Sequence, residues 1–258
     1  MVERVTISLP RLPQAFEGTT VAVIADLHAG PRRGGIAAIE EIVHTVNTLQ
    51  PNLIVLLGDM VHRPSKISAY LPLLSRLRAG DGVFACLGNH EHGFVWYSRW
   101  FGPWPGPSVD EWRRLYADIG VELLVNEARP FHKRGARIWL IGVDDSYSGR
   151  DDLPSALENV GRGDFGLAIT HSPDLIDEPR ALDLDLILAA HTHGGQVRLP
   201  LLGPLYAPCR RARERAAGLL HAGRTAMYVT RGVGESLPVR LACPREIPLI
   251  ELRRTSAP

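Results

Sequence analysis

Two imidazoles stand one residue apart in His191-Thr192-His193, at the end of the apolar run LDLILAA. Four other apolar runs stop in residues of the same kind. VAVIADLH ends in Asp26 and His28, LIVLLGD in Asp59, VFACLGNHE in Asn89, His90 and Glu91, and FGLAITH in His171. One such ending carries little information, whereas five in one chain point to a shared site. Asp26, His28, Asp59, Asn89, His171, His191 and His193 make a mixed oxygen and nitrogen donor set without a thiolate. That set suits Mn²⁺, Fe or Zn²⁺ and is too rich in nitrogen for Ca²⁺ or Mg²⁺. Seven ligands are too many for one tetrahedral ion but suit two ions that share a bridging carboxylate. Paired ions about 3.5–4 Å apart clamp a phosphoryl group and lower the pKa of a bound water.

The elements that must position these residues read as buried strands. Runs of Leu and β-branched residues without alternation suit strands covered on both faces. Their alternation with helical stretches predicts an α/β fold with parallel pairing, and such sheets place ligands outside the carboxyl ends of the strands. Side chains two apart on a strand share a face. Extended backbone through these positions would therefore put Asp26 beside His28, and His191 beside His193, at one location. Gly194 and Gly195 then let the backbone turn sharply. Ile36, Ile39, Val43 and Val46 predict a helix closed by Pro51, and Ile67, Tyr70, Leu74 and Leu77 a second one broken near Pro72. Ser108 and Glu111 form a capping-box pattern ahead of Val109, Trp112, Leu115 and Ile119. Leu153, Leu157 and Val160 suggest a short helix, and 128–145 two strands about Arg134-Gly135. After 195 the chain reads mostly as strands, in QVRLPLL (196–202), GLLHAGRTAMYVTRG (218–232) and VRLACPREIPLIEL (239–252).

Composition bounds the partners. The chain has 258 residues, 45% apolar and 22% charged, the make-up of a globular protein with a sizeable core. A net charge of +1 gives no reason to expect a nucleic acid partner. Lys66 and Lys133 are the only lysines, so the positive charge is almost all arginine. Cys86, Cys209 and Cys243 do not make a disulfide framework. There is neither a membrane-length apolar run nor a leader pattern at the start, which makes a cytoplasmic location the expectation. No linker divides the chain, so 1–258 reads as a single domain.

The ordered blocks Asp26-Leu-His28, Gly58-Asp59, Gly88-Asn89-His90-Glu91, Thr170-His171 and His191-Thr-His193 resemble the calcineurin-like metallophosphoesterase family. The run from His191 to Gln196 and the ending Gly232-Val-Gly-Glu-Ser, Pro238-Val-Arg-Leu resemble a bacterial branch that includes phosphodiesterases acting on lipid A precursors. The resemblance implies a layered β-sandwich flanked by helices, with the metal site at the carboxyl ends of the strands. It implies that Asp26, His28 and His193 bind a first metal and Asn89, His171 and His191 a second, with Asp59 as the bridge. His90 would protonate the leaving oxygen while a metal-bound hydroxide attacks in line. The substrate it implies is a phosphoester, small or lipid-linked. Two positions depart from the family pattern. His62 stands where an acidic residue is common, three after the bridging Asp, and Ala190 replaces the Gly usual before the first His of the H-x-H block.

Plainer readings apply elsewhere. His44, His132 and His221 read as surface residues, and His92 as either a surface or a site-lining one. Asp144-Asp145 reads as a strand-end cap, and Glu91 as an orienting hydrogen-bond acceptor. Trp96, Trp100, Phe101 and Trp104 read first as a cluster covering the core edge, and alternatively as an apolar lid or membrane contact for an acylated substrate. CRRARER (209–215), basic on balance, is a solvated face or, with 94–104, a peripheral membrane contact. Two competing functions stay open: a regulatory module that keeps the metals with little turnover, and a metal-site hydrolase of another bond. The second is disfavoured by the G-N-H-E block.

Overall fold

The computed structural model describes residues 1–30, 35–236 and 238–255, without the side chains of Lys66, Arg99, Ala212 and Arg213. Its strands, in chain order, are β1 (Val2–Ser8), β2 (Thr20–Ile24), β3 (Leu53–Leu57), β4 (Gly82–Cys86), β5 (Glu122–Leu123), β6 (Glu127–Lys133) and β7 (Ala136–Gly142). They continue with β8 (Gly166–Ile169), β9 (Leu186–Ala189), β10 (Arg198–Leu199), β11 (Gly203–Pro204), β12 (Gly218–Ala222), β13 (Thr225–Val229) and β14 (Ile247–Arg253). One six-stranded sheet runs β1-β14-β2-β3-β4-β5 and another β12-β13-β9-β8-β7-β6, with β10 and β11 paired apart from both. The first sheet is parallel from β2 to β5, and the second is parallel from β13 through β9 and β8 to β7.

Pleating explains why the strand sequences do not alternate in polarity. Val21, Val23, Val55, Leu57 and Cys86 face Leu140, Leu167, Ile169, Leu186 and Leu188 in the core between the sheets. Their neighbours Ala22, Ile24, Ile54, Leu56 and Ala85 pack outward against α1 (Ile36–Thr48), α2 (Ile67–Tyr70) and Trp112 and Tyr116 of a later helix. On the far side Ile141, Ala168, Ile187 and Met227 meet Leu153, Ala156, Leu175 and Ala181. Both faces of each sheet are thus covered, in the layered arrangement of helices, sheet, sheet and helices that the family resemblance implies.

Several local expectations hold. The helix after β3 breaks as Pro72 requires: α2 stops at Tyr70 and the chain tightens into a 3₁₀ turn over Leu71–Arg76. Beyond α3 (Ser98–Phe101), Ser108 and Glu111 form the reciprocal capping box of α4 (Val109–Ala117). The hairpin β6–β7 turns at Arg134-Gly135, and α5 (Leu153–Ala156) is a single turn. Two expectations fail. In 196–202 only the two-residue β10 is extended, and 239–246 is irregular ahead of β14. The apolar residues there serve as loop packing; Gln196 donates to the Val239 carbonyl at 2.8 Å, tying one irregular segment to the other. The edge strand β1, parallel to β14, has no counterpart in the sequence reading because its VERVTIS pattern is half polar.

Candidate metal centre

Each ligand-type residue follows the end of a strand, in backbone that is no longer extended. β2 stops at Ile24 and β9 at Ala189. Asp26, His28, Asp59, His191 and His193 then take left-handed backbone, with φ of 53°, 46°, 55°, 68° and 51°. Such positions cost roughly 1–3 kcal/mol each for a residue with a side chain and gather where a site demands them. Asp26 and His28 still meet in one cluster, as expected, but the expectation fails for His191 and His193. The left-handed turns send His191 and His193 into two neighbouring clusters instead of one.

Asp26, His28 and His193 form the first cluster, one ligand atom from each lying within 4.8 Å of the others. His28 Nε2 and His193 Nε2 are 3.0 Å apart, and His193 Nε2 is 3.7 Å from Asp26 Oδ1. Asp59, His171 and His191 form the second, with His191 Nδ1 and His171 Nε2 3.0 Å apart. The Asp59 carboxylate lies between them: Oδ2 is 3.4 Å from His171 Nε2 and 3.6 Å from His28 Nε2. Asn89 donates its amide N–H to the Phe94 carbonyl at 2.6 Å, and its Oδ1 has no hydrogen-bond donor among the described residues. His90 Nε2 sits 4.0 Å from Asp59 Oδ2, and its backbone N–H donates to Asp59 Oδ1 at 2.9 Å. The structure therefore brings seven of the eight residues singled out in the sequence into contact, and Asn89 is the chain neighbour of one of them, His90.

The donor chemistry fits cations. Both carboxylate oxygens of Asp26 and Oδ1 of Asn89 are buried without a hydrogen-bond partner among the described residues. Buried polar atoms are seldom left so. Burial first, then neighbouring positive charge, holds the His28 and His191 imidazoles well below their usual range and pushes His193 down to about 3. Neutral imidazole is the form that ligates. Burial pushes the Asp26 carboxyl up to about 7. Burial also opposes ionisation of Asp59, but the His171 ring beside it prevails and holds that carboxylate well below the usual range.

Supporting contacts fix these groups. Glu91, fully buried, accepts from the backbone N–H groups of Asp59 and Met60 at 2.7 Å and of Gly88 at 2.9 Å, which is the orienting role read from sequence. The His171 ring hydrogen-bonds through Nδ1 to the Leu57 carbonyl at 2.7 Å, which aims Nε2 at the clusters. His90 Nδ1 donates to the His62 carbonyl at 2.7 Å and leaves Nε2 toward Asp59. A Cβ at Gly232 would lie 2.7 Å from Asp26 Oδ2, so only glycine permits that approach. Sequence reasoning missed two residues. Arg240 donates to the carbonyls of His193 at 3.3 Å, Arg231 at 2.8 Å and Gly234 at 2.6 Å. Tyr147 places its ring 4.6 Å from that of His191. The Pro238-Val-Arg-Leu block was a signal for the first; nothing in 146–148 flagged the second.

The remaining candidates fall outside the clusters. His44, His132 and His221 are exposed. His92 pairs with Asp144 at 2.7 Å, and Asp145 caps the turn through the N–H groups of Tyr147 and Ser148. Trp96, Trp100 and Phe101 are 71%, 71% and 83% exposed and pack edge to face on one another and Tyr97, so they do not cover the core edge. In 209–215, Arg215 pairs with Asp174 and Asp177, Arg210 with Asp177 and Arg211 with Glu214. The Arg213 side chain lies outside the described residues. Among the described residues no helix is long and apolar enough to cross a membrane.

Two covered sheets with paired clusters of side chains able to ligate metal at the strand ends fit a metallohydrolase architecture. A family described as calcineurin-like phosphoesterase matches residues 19–195, and the chain belongs to that family. It is a metallophosphoesterase, a phosphoric ester hydrolase, and the family works through a metal centre. The chain is 33% identical over 235 residues to the phosphodiesterase YaeI of Escherichia coli (strain K12), spanning 90% of this chain and 81% of that protein. It is 28% identical over 256 residues to the uncharacterized metallophosphoesterase YkuE of Bacillus subtilis (strain 168), spanning 97% and 85%. A 25% identity over 285 residues links it to the UDP-2,3-diacylglucosamine pyrophosphatase LpxG of Chlamydia muridarum (strain MoPn / Nigg), spanning 92% and 85%.

Proposed function

We propose that the chain is a dinuclear metal-dependent phosphodiesterase. In this reading Asp26, His28 and His193 hold one ion, Asn89, His171 and His191 hold the other, and Asp59 bridges them. The observation that carries it is the Asp59 carboxylate, set within 4 Å of imidazoles from both clusters. When bound, Mn, Fe or Zn ions supply Lewis acidity: they lower the pKa of a water and neutralise charge on the phosphoryl oxygens. The protein's own part follows from the contacts. His90, its tautomer set by the His62 carbonyl, presents Nε2 to the site and delivers a proton to the departing ester oxygen. Glu91 locks the loops after β3 and β4 together, which keeps Asp59 and His90 in register.

The substrate in this reading is a phosphodiester or pyrophosphate, small or lipid-linked. The names of two relatives, a phosphodiesterase and a pyrophosphatase of a diacylated sugar nucleotide, support it. So does the exposed aromatic loop 94–104, whose Trp104 ring stands 6.2 Å from that of His90. We read residues 1–258 as one cytoplasmic domain with peripheral membrane contact through 94–104. The paired arginines of 209–215 make that segment the weaker half of such a contact.

Hydrolysis of bis-(p-nitrophenyl) phosphate tests the function. Activity is expected with Mn²⁺ and is lost on chelation, with vanadate, and in Asp59→Asn. A chain that takes up metal at both clusters yet never turns over would sink the enzymatic reading and leave a regulatory module.

A further inference from the structure

His62 has no part in the site so far beyond its carbonyl, yet its ring belongs to a third group of imidazoles. One nitrogen each from His28, His62 and His90 lies within 4.8 Å of the others, a bound that the two inner clusters also meet. Ring centroids are 6.0 Å apart for His28 and His62, 5.3 Å for His62 and His90, and 4.5 Å for His28 and His90. The Trp104 ring stands edge-on to both outer rings, 5.9 Å from His62 and 6.2 Å from His90, and backs them with an apolar wall. His90 has committed Nδ1 to the His62 carbonyl, so Nε2 is its one ligating nitrogen. His28 is fully buried whereas His62 is half-buried, which puts the solvent entrance on the His62 side.

An imidazole at 62 changes the donor set. A carboxylate beside His90 would give a hydrogen-bond partner of the ring; a second imidazole gives a pair of nitrogen donors. Such pairs select Zn²⁺, Cu²⁺ or Ni²⁺ over Mg²⁺ and Ca²⁺. We propose that His62 and His90, with His28 as the inner wall, form an additional site for a transition-metal ion, and that an ion there inhibits hydrolysis. The inhibition rests on the acid role of His90 proposed above. Nε2 has a single lone pair. Given to a cation, that pair cannot hold the proton destined for the ester oxygen, and the leaving group must depart as an anion. His28 stays with Asp26 and His193, and water completes the outer ion's shell. Fewer protein ligands and repulsion from the inner ions make this the weakest of the sites, filled at excess metal.

The test uses the full chain dialysed against increasing Zn²⁺, with bound metal counted by mass spectrometry. Wild type is expected to take up an ion beyond those of the two inner clusters, and His62→Asn to stop at the inner clusters. The substitution keeps the backbone carbonyl that orients His90. The zinc concentration for half-inhibition should rise by about 10-fold or more in His62→Asn, at least the cost of losing an outer partner of a metal site. Equal zinc content and equal half-inhibition in the two proteins would overturn the inference. A zinc-edge anomalous map of wild type needs no variant: a peak between the His62 and His90 rings supports it, and peaks at the inner clusters alone remove it. In that last case the dinuclear reading survives, whereas a chain without metal at any cluster loses both.

Discussion

At the scale of single residues, the site combines groups that are costly to bury with the atoms that relieve that cost. His90 is the test of the acid role. An alkyl ester needs its oxygen protonated as it leaves, and p-nitrophenolate does not. His90→Asn should lower kcat by about 10²–10⁴-fold on an alkyl phosphodiester and far less on the p-nitrophenyl one, in steady-state kinetics. Asp26 sets the pH dependence of metal uptake. Its carboxyl titrates near 3.8 when exposed and at about 7 in the fold. The folded chain therefore holds an extra proton between those values, and ionising Asp26 costs stability as pH rises through the window. His171 adds to this. Burial opposes its charge, but Asp59 prevails and holds the ring protonated above its usual range. A cation bound by these groups would displace both protons. The rise in Tm on adding Mn²⁺ to chelator-stripped protein should be larger at about pH 8 than at about pH 5, read by thermal melts.

At the scale of elements, the loops after β3 and β4 behave as one unit. Gly88 packs so closely on the other loop that an added Cβ would lie 2.6 Å from the Asp59 backbone nitrogen. Gly88→Ala is expected to displace Asp59 and reduce bound metal while leaving far-ultraviolet circular dichroism intact. Glu91 is the other half of that unit. Three backbone N–H groups donate to its carboxylate, and a Gln presents an N–H₂ to at least one of them. Glu91→Gln should destabilise the fold by about 1–3 kcal/mol in urea unfolding, the cost of an unsatisfied buried donor. The helices were legible because their signals are local. The capping box at Ser108 and the break at Pro72 need only residues a few positions apart. The short β10 and the irregular 239–246 were misread because apolar residues pack loops as readily as strands, and periodicity does not separate the two.

At the scale of the whole molecule, the proposed ligands come from both sheets. Asp26, His28 and Asp59 follow β2 and β3 of one sheet, while His171, His191 and His193 follow β8 and β9 of the other. In the dinuclear reading, cations held by both sets would tie the open end of the sandwich together. Chelation is expected to lower the unfolding free energy, with about 2.7 kcal/mol returned when a metal is restored at 100 times its dissociation constant. That dependence should show in calorimetry as a Tm that rises with metal concentration. β14 binds the ends of the chain into the same sheet, since it lies between β1 and β2 and runs antiparallel to β2.

By itself the sequence determined which residues would meet and what kind of chemistry they would serve. Strand ends are marked by apolar runs, and a parallel sheet gathers its strand ends at one edge whatever the details of packing. Tertiary structure alone showed the backbone path by which the residues divide. Whether His191 and His193 serve one ion or two depends on left-handed turns that the one-residue spacing does not encode. The placement of Arg240 against the His193 carbonyl and of Tyr147 against the His191 ring, each pair far apart along the chain, was likewise decided only by the tertiary fold.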